Sequence, residues 1–184
     1  MCIRDRQNPV APPDPLGSTR SFVQNWKVDD FKDQLPDALA NHNADQGKPL
    51  FTEATCAQCH KANGQGGAVG PELNGLFARW KNDTPAILRE ILDPSHRIDP
   101  KYAVHLVVTE DGETISGIVT SEDKKSVTLM VNPESKETEV VQRSEIEEMV
   151  KTSNSMMPKG LLDRFQKEEV LDLLAYLQTL VAEE

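Results

Sequence analysis

The chain has 184 residues, with 20 Lys and Arg against 30 Asp and Glu, a formal net charge of −10. That length holds one domain or two small ones and suffices to bury a core. The acidity, without any basic cluster, speaks against nucleic acid as a partner, and no apolar run approaches the ~20 residues of a membrane span.

In chain order, Met1-Cys2-Ile3-Arg4-Asp5-Arg6 resembles translated adapter sequence, which places the true start and any export signal upstream. Residues 9–17 are proline-rich and read, with the rest of 1–17, as an extended tail. Residues 18–44 read as a helical extension: Phe22, Val23 and Trp26 fall at i, i+1, i+4, Phe31 and Leu35 are four apart, and Pro36 interrupts. Asp45 to about Thr55 predicts a helix with Leu50, Phe51 and Ala54 inward. Residues 61–75, with Gly64, Gly66, Gly67, Gly70 and Gly75, predict a tight irregular loop. Asp83-Thr84-Pro85 opens a helix with an N-cap and an early proline. Ile87, Leu88, Ile91 and Leu92 give that helix its apolar face.

From Tyr102 the period becomes two. Val104, Leu106 and Val108 alternate with Ala103, His105 and Val107, and Asp111-Gly112 makes a turn. Further strands are predicted over 114–120, 126–131, 138–142 and about 146–150, together an antiparallel meander or small barrel. Residues 101–150 hold 5 basic and 11 acidic side chains, whereas 45–100 hold 6 and 7, so the charge concentrates in the predicted strands. Residues 167–181 predict a helix with Val170, Leu173, Leu174, Leu177 and Leu180 on one face.

Chemistry concentrates in Cys56-Ala57-Gln58-Cys59-His60, a c-type haem attachment pattern. Two thiols a helical turn apart span the two vinyl groups of a porphyrin edge, and the next residue, His60, lies under the iron. The competing readings are a zinc half-site and a thioredoxin-like pair. Zinc needs four ligands, and no second Cys/His pair follows at finger spacing. A thioredoxin-like pair should follow a strand in a βαβ unit, which the pattern lacks.

Ser155-Met156-Met157-Pro158 sits in a polar loop, where a thioether ligand is a better account of paired methionines than core filling, although one of them can plug the local core. Pro71, with a fixed φ and no N–H, suits a carbonyl that orients the histidine ring. Arg79 and Trp80 are candidates for haem propionates, or else an ordinary surface arginine and core tryptophan. Of the other histidines, His42, His96 and His105, a bis-histidine haem would use one as a remote alternative ligand, but His105 is read as solvent-facing and His96 as interacting with a helix end. Glu145, Glu147 and Glu148 read as a solvated edge.

Taken together, these residues resemble the haem-binding cytochrome c domain of planctomycete and verrucomicrobial proteins, from about Ser21 to the C-terminus. The segments that carry the resemblance are Phe22–Trp26, Gly47–Phe51, Cys56–His60, Gly66–Leu73, Ile91–Ser95, Ile98–Tyr102, Asp111-Gly112 with Gly117, Ser155–Leu162 and Asp172–Leu177. Glu72 departs from the usual Asp. The resemblance implies one covalent haem c on Cys56 and Cys59, His60 as proximal ligand, and Met157 as distal ligand with Met156 in reserve. It implies a mainly α fold, a class I cytochrome c helical core over 45–184, with a small antiparallel β meander or barrel inserted at 101–150 (α+β overall). The helix of Gly47 and Phe51 should cross the C-terminal helix near Leu173 and Tyr176. The expected function is single-electron transfer outside the cytoplasm, in the periplasm or its equivalent. The chain is not itself an enzyme in this reading, and it takes electrons from a fused or partner dehydrogenase. The alternatives are a haem module whose labile methionine admits a small ligand, an interaction domain built on the β insertion, and, disfavoured because both axial positions are filled, a peroxidase-like site. The acidic insertion is a candidate docking surface for a basic partner.

Overall fold

The computed structural model describes residues 20–35, 40–132 and 135–182. The readings placed on Cys2, the proline-rich tail and Pro36 lie outside the described residues.

Residues 21–27 are extended rather than helical, and a 3-10 turn follows at Val28–Phe31. The helix-like spacing of Phe22, Val23 and Trp26 is overridden by tertiary partners. The N–H groups of Val23 and Gln24 donate to the Asp163 carbonyl at 2.8 and 3.1 Å. The Trp26 indole donates to the Phe165 carbonyl at 3.0 Å. Arg20 pairs with Glu53 and Glu169 at 2.6 and 2.8 Å. Phe22 consequently stays exposed, while Phe31 and Leu35 are buried.

Helix α1 spans Ala44–Glu53 and is capped by Asn43, whose side chain accepts from Asp45 N–H at 2.9 Å. One turn, α2, is Cys56–Cys59. The glycine-rich stretch begins with a two-residue hairpin, β1 (Lys61–Ala62) against β2 (Gln65–Gly66), where the sequence alone suggested only irregular loop. A further turn, α3, is Leu76–Arg79. Helix α4 spans Thr84–Leu92, with Asp83 accepting from Ala86 N–H at 3.0 Å and Pro85 in the first turn.

Five strands follow: β3 (Val104–Thr109), β4 (Thr114–Glu122), β5 (Ser126–Asn132), β6 (Glu137–Gln142) and β7 (Ile146–Lys151). The last element is α5, Lys167–Thr179. Strands contribute nearly as many residues as helices, so the fold is α+β rather than mainly α.

Every residue of α5 from Val170 to Leu177 is buried, which makes it the central helix of the bundle. It crosses α1 at Gly47. A Cβ built there would lie 2.0 Å from the Asp172 carbonyl oxygen and 2.9 Å from Tyr176 Cβ, so only glycine permits the approach. Phe51 and Tyr176 then meet with ring centroids 5.7 Å apart. Phe31, Leu88, Leu162, Leu171 and Leu174 fill the surrounding core.

The sheet order is β6-β5-β4-β3-β7, all antiparallel. The first four strands form a meander. The fifth leaves β6 at one edge and pairs with β3 at the other. In a flat sheet those edges would lie about 19 Å apart, yet the three-residue turn Arg143–Glu145 joins them, a reach of at most about 14 Å. The sheet is therefore curled. That turn crosses its open end, where Arg143 N–H donates to the Lys125 carbonyl and Glu110 N–H to the Glu145 carbonyl, at 2.8 and 2.9 Å.

Inside the curl Val107, Ile115, Val127, Leu129 and Val141 form a second core, separate from that of the helices. The buried parity of β3 is thus Ala103, Val107 and Thr109, and half-buried His105 shares it instead of facing solvent. Val104, Leu106 and Val108 occupy the outer face. Both faces of β3 are apolar in sequence, so alternation alone does not select the inner one.

Because the two cores are separate, Leu129→Ala is expected to cost about 2–5 kcal/mol within the sheet. Amide exchange should then quicken across β3–β7 and stay slow in α5. Equal loss of protection in α5 would show a single cooperative unit instead.

Candidate functional site

The α2 turn is entered through Thr55, which adopts a left-handed φ of 60°. The turn places Cys56 and Cys59 one helical turn apart, and no disulfide joins them. Burial pushes the Cys56 thiol up to about 12. A thiol so reluctant to ionise is a poor redox nucleophile. Among the described residues no group of three or more His, Cys, Asp or Glu is arranged to hold a metal ion.

His60 follows at the C-terminal end of the turn, its N–H donating to the Cys56 carbonyl at 2.9 Å. Its Nδ1 lies 2.8 Å from the Pro71 carbonyl oxygen. A carbonyl only accepts, so Nδ1 carries the proton. Burial lowers the ring's pKa, against the opposing pull of that carbonyl, and keeps the imidazole neutral at pH 7. Nε2 is left with its lone pair, the form that binds a metal.

The glycine loop wraps this turn closely. Gly67 N–H donates to the Ala57 carbonyl at 2.9 Å, and Val69 and Gly70 N–H both donate to that of Cys59, at 3.1 and 2.9 Å. A Cβ on Gly67 would lie 1.9 Å from the Gln58 oxygen. One on Gly70 would lie 2.5 Å from His60 Cε1 and 2.8 Å from Nδ1. Gly70 therefore presses its bare backbone against the imidazole ring, a contact with no signal in the sequence beyond the glycine itself.

Arg79 is exposed, and its guanidinium donates to the carbonyls of Glu72, at 2.7 Å, and Asn74. It thereby braces the loop that carries Pro71, and these two donors are engaged with backbone. Asn74, absent from the sequence reading, is buried and accepts from Asn63 N–H through its side chain at 2.8 Å. Trp80 is half-buried at the edge of the helical core, with the Arg97 guanidinium 4.6 Å above its ring. It also lines a cleft of about 880 Å³ between the N-terminal segment and α4, which includes neither the cysteines nor His60.

Met156 and Met157 are half-buried in the loop after β7. Met157 N–H donates to Ser155 Oγ at 3.1 Å, and Ser155 N–H to Ser95 Oγ at 3.0 Å. The remaining histidines have local partners: His42 Nδ1 is 3.2 Å from Asp172 Oδ1, His96 Nδ1 3.2 Å from the Asp93 carbonyl, and His105 Nδ1 3.2 Å from the Ala103 carbonyl. Glu145, Glu147 and Glu148 are exposed.

The donor set suits a covalently attached, axially ligated porphyrin. It offers two thiols on one turn, a neutral imidazole with Nε2 available, and a side-chain-free surface against the ring. Comparison with known proteins agrees. Residues 44–128 match the family model described as cytochrome c, a stretch that runs from α1 into β5 and takes in Cys56, Cys59, His60 and Pro71. A cytochrome c of Arabidopsis thaliana is 45% identical over 47 residues, 25% of this chain and 41% of that protein. The chain thus spans about two fifths of that relative's length.

Proposed function

We propose that this chain, which carries a cytochrome c domain over residues 44–128, is a monohaem c-type cytochrome that transfers single electrons. The observation that carries the reading is the His60 Nδ1–Pro71 carbonyl hydrogen bond of 2.8 Å, directly after the Cys56/Cys59 turn. It fixes the tautomer, leaves Nε2 its lone pair and raises the basicity of the ligand. When bound, haem c supplies a one-electron iron couple, and histidine–methionine ligation favours its ferrous state and raises the potential.

Cys56 and Cys59 would hold the haem through thioethers, and His60 (proximal) and Met157 (distal), with Met156 in reserve, would ligate its iron. Pro71 orients the ring. Arg79 keeps the Pro71 loop in place, and the remaining donors of Arg79 and Trp80 would bind the propionates. With His60 and Met157 both bound to it, the iron would exchange electrons and do no bond chemistry. Electrons come from a dehydrogenase, fused or separate, and pass to a redox protein partner in an extracytoplasmic compartment such as the periplasm. The class I placement and the kinship with planctomycete and verrucomicrobial domains belong to the same proposal. No helix among the described residues is long and apolar enough to cross a membrane.

The test is a spectrum of the chain exported alongside the cytochrome c maturation machinery. A sharp reduced α band, haem that resists acid-acetone extraction, and a ferric iron–sulfur charge-transfer band lost in Met157→Ala are expected. Colourless protein beside a maturing control cytochrome would overturn the reading. Loss of the band in Met156→Ala alone would move the distal ligand by one residue.

A further inference from the structure

The sheet is spliced into the helical core at one neck, and the neck is built on the methionine loop. Its two chains meet at three points. Asp93 forms an ion pair with Lys159. Ser155 N–H donates to Ser95 Oγ at 3.0 Å, a half-buried contact. Thr152 N–H donates to the Val104 carbonyl at 2.8 Å. From the middle contact a second bond leads inward, Met157 N–H to Ser155 Oγ at 3.1 Å. Ser95, at the end of α4, thus connects through Ser155 to the backbone of Met157. The last residue of β7, Lys151, is only six positions from Met157.

The three contacts are unequal. The Asp93 and Lys159 side chains are 43% and 63% exposed, and pairs so exposed hold little. The Thr152 bond fastens the root of the sheet, not the ligand. The backbone of Met157 itself is held by the relay through Ser155.

We infer that Ser95 and Ser155 are positioning residues for Met157, a latch that ties the methionine loop to the end of α4 and sets how firmly the thioether stays on the iron. The inference rests on the proposed Met157 ligation. A thioether is a neutral, weak donor, so its occupancy depends on how well the loop is ordered beforehand. Loosening the loop raises the fraction of molecules with the sulfur away. The apparent affinity for an outside ligand rises in proportion to that fraction.

The experiment uses the holoprotein, reduced with dithionite and mixed with carbon monoxide, alongside the ferric iron–sulfur band. Ser95→Ala removes the acceptor. Ser155→Ala keeps its own N–H bond to Ser95 and removes only the bond to Met157. Each is expected to raise carbon monoxide binding roughly three- to tenfold, the equilibrium worth of one neutral hydrogen bond, and to weaken the band. Ser95→Thr, which keeps the hydroxyl, should restore both. Should Ser95→Ala fail to fold, the Ser155 pair of Ala and Thr variants reads the same latch. Wild-type carbon monoxide binding and an intact band in the serine variants, with the band abolished in Met157→Ala, would overturn the latch and leave the ligand assignment standing. A band untouched by Met157→Ala would overturn both.

Discussion

Gly47→Ala should lower the thermal midpoint of the holoprotein by about 6–12 °C, the equivalent of about 3 kcal/mol in a domain of this size. Two effects oppose each other. Alanine is the better helix former by about 1 kcal/mol. Against that, its methyl carbon would sit 2.0 Å from the Asp172 carbonyl oxygen and 2.5 Å from the carbonyl carbon. The obstacle is backbone, which no rotamer change can relieve. The helices must separate by an ångström or more, and the contacts on either side of the crossing, Leu50 and Phe51 against Leu173 and Tyr176, loosen together. Overpacking of one methyl commonly costs 1–3 kcal/mol; displacing a whole helix pair exceeds it. A midpoint unchanged or raised in thermal unfolding would show that α1 and α5 do not meet as closely as described.

Gly70→Ala carries the other large effect, at the site itself. The new methyl would fall 2.5 Å from His60 Cε1, 2.8 Å from Nδ1 and 3.1 Å from Nε2. Here the obstacle is a side chain, and the ring can turn away, but turning breaks the 2.8 Å bond to the Pro71 carbonyl and re-aims Nε2. Losing the orienting partner of a metal-bound histidine typically costs 10–100-fold in affinity or activity. The thioethers would keep the haem attached whatever the ring does, so the loss is expected in the His60–iron bond, read as an at least tenfold easier displacement by an outside ligand such as imidazole. The haem should also show a shifted reduction potential. Wild-type resistance to displacement at the wild-type potential would refute the contact between Gly70 and the ring. Gly64 is the internal control, because a Cβ there meets nothing within 4 Å. Its φ of 74° still calls for a residue tolerant of that conformation, so Gly64→Asn is the substitution to compare.

The elements that the sequence announces are those whose signal is local. The N-cap Asp83 with Pro85, the Asp111-Gly112 turn and the period-two runs each encode their own geometry, and α4 and β3 to β7 lie within a few residues of where those signals put them. The Cys56–His60 run is conspicuous for the same reason, since its spacing is its chemistry.

What the sequence hides is decided at long range. The pairing of β7 with β3 depends on closing a curl. The inner face of β3 depends on which of two apolar faces the curl encloses. The extended course of residues 21–27 depends on Asp163 and Phe165, about 140 positions away, which offer carbonyls that a local helix cannot match. Within the site, the pressure of Gly70 on the imidazole and the engagement of Arg79 with Glu72 and Asn74 arise only once the loop has closed. Single-turn α3 is too short for any periodicity to show.

The curl of the sheet also governs how copies of the chain behave toward one another. An open five-stranded sheet exposes two edges, each a template on which a second chain can add a strand. Here the Arg143–Glu145 turn draws the β6 and β7 edges toward one another, narrowing the approach to both. What remains reachable is fringed with carboxylates, Glu137 and Glu139 on β6 and Glu147 and Glu148 on β7, so at neutral pH an approaching copy meets its own charge. Added salt would screen the repulsion and leave Val140 and Val150, 57% and 44% exposed, as adhesive points. The sheet that is the most acidic part of the molecule is thereby also what keeps it dispersed, and self-association should set in first as ionic strength rises.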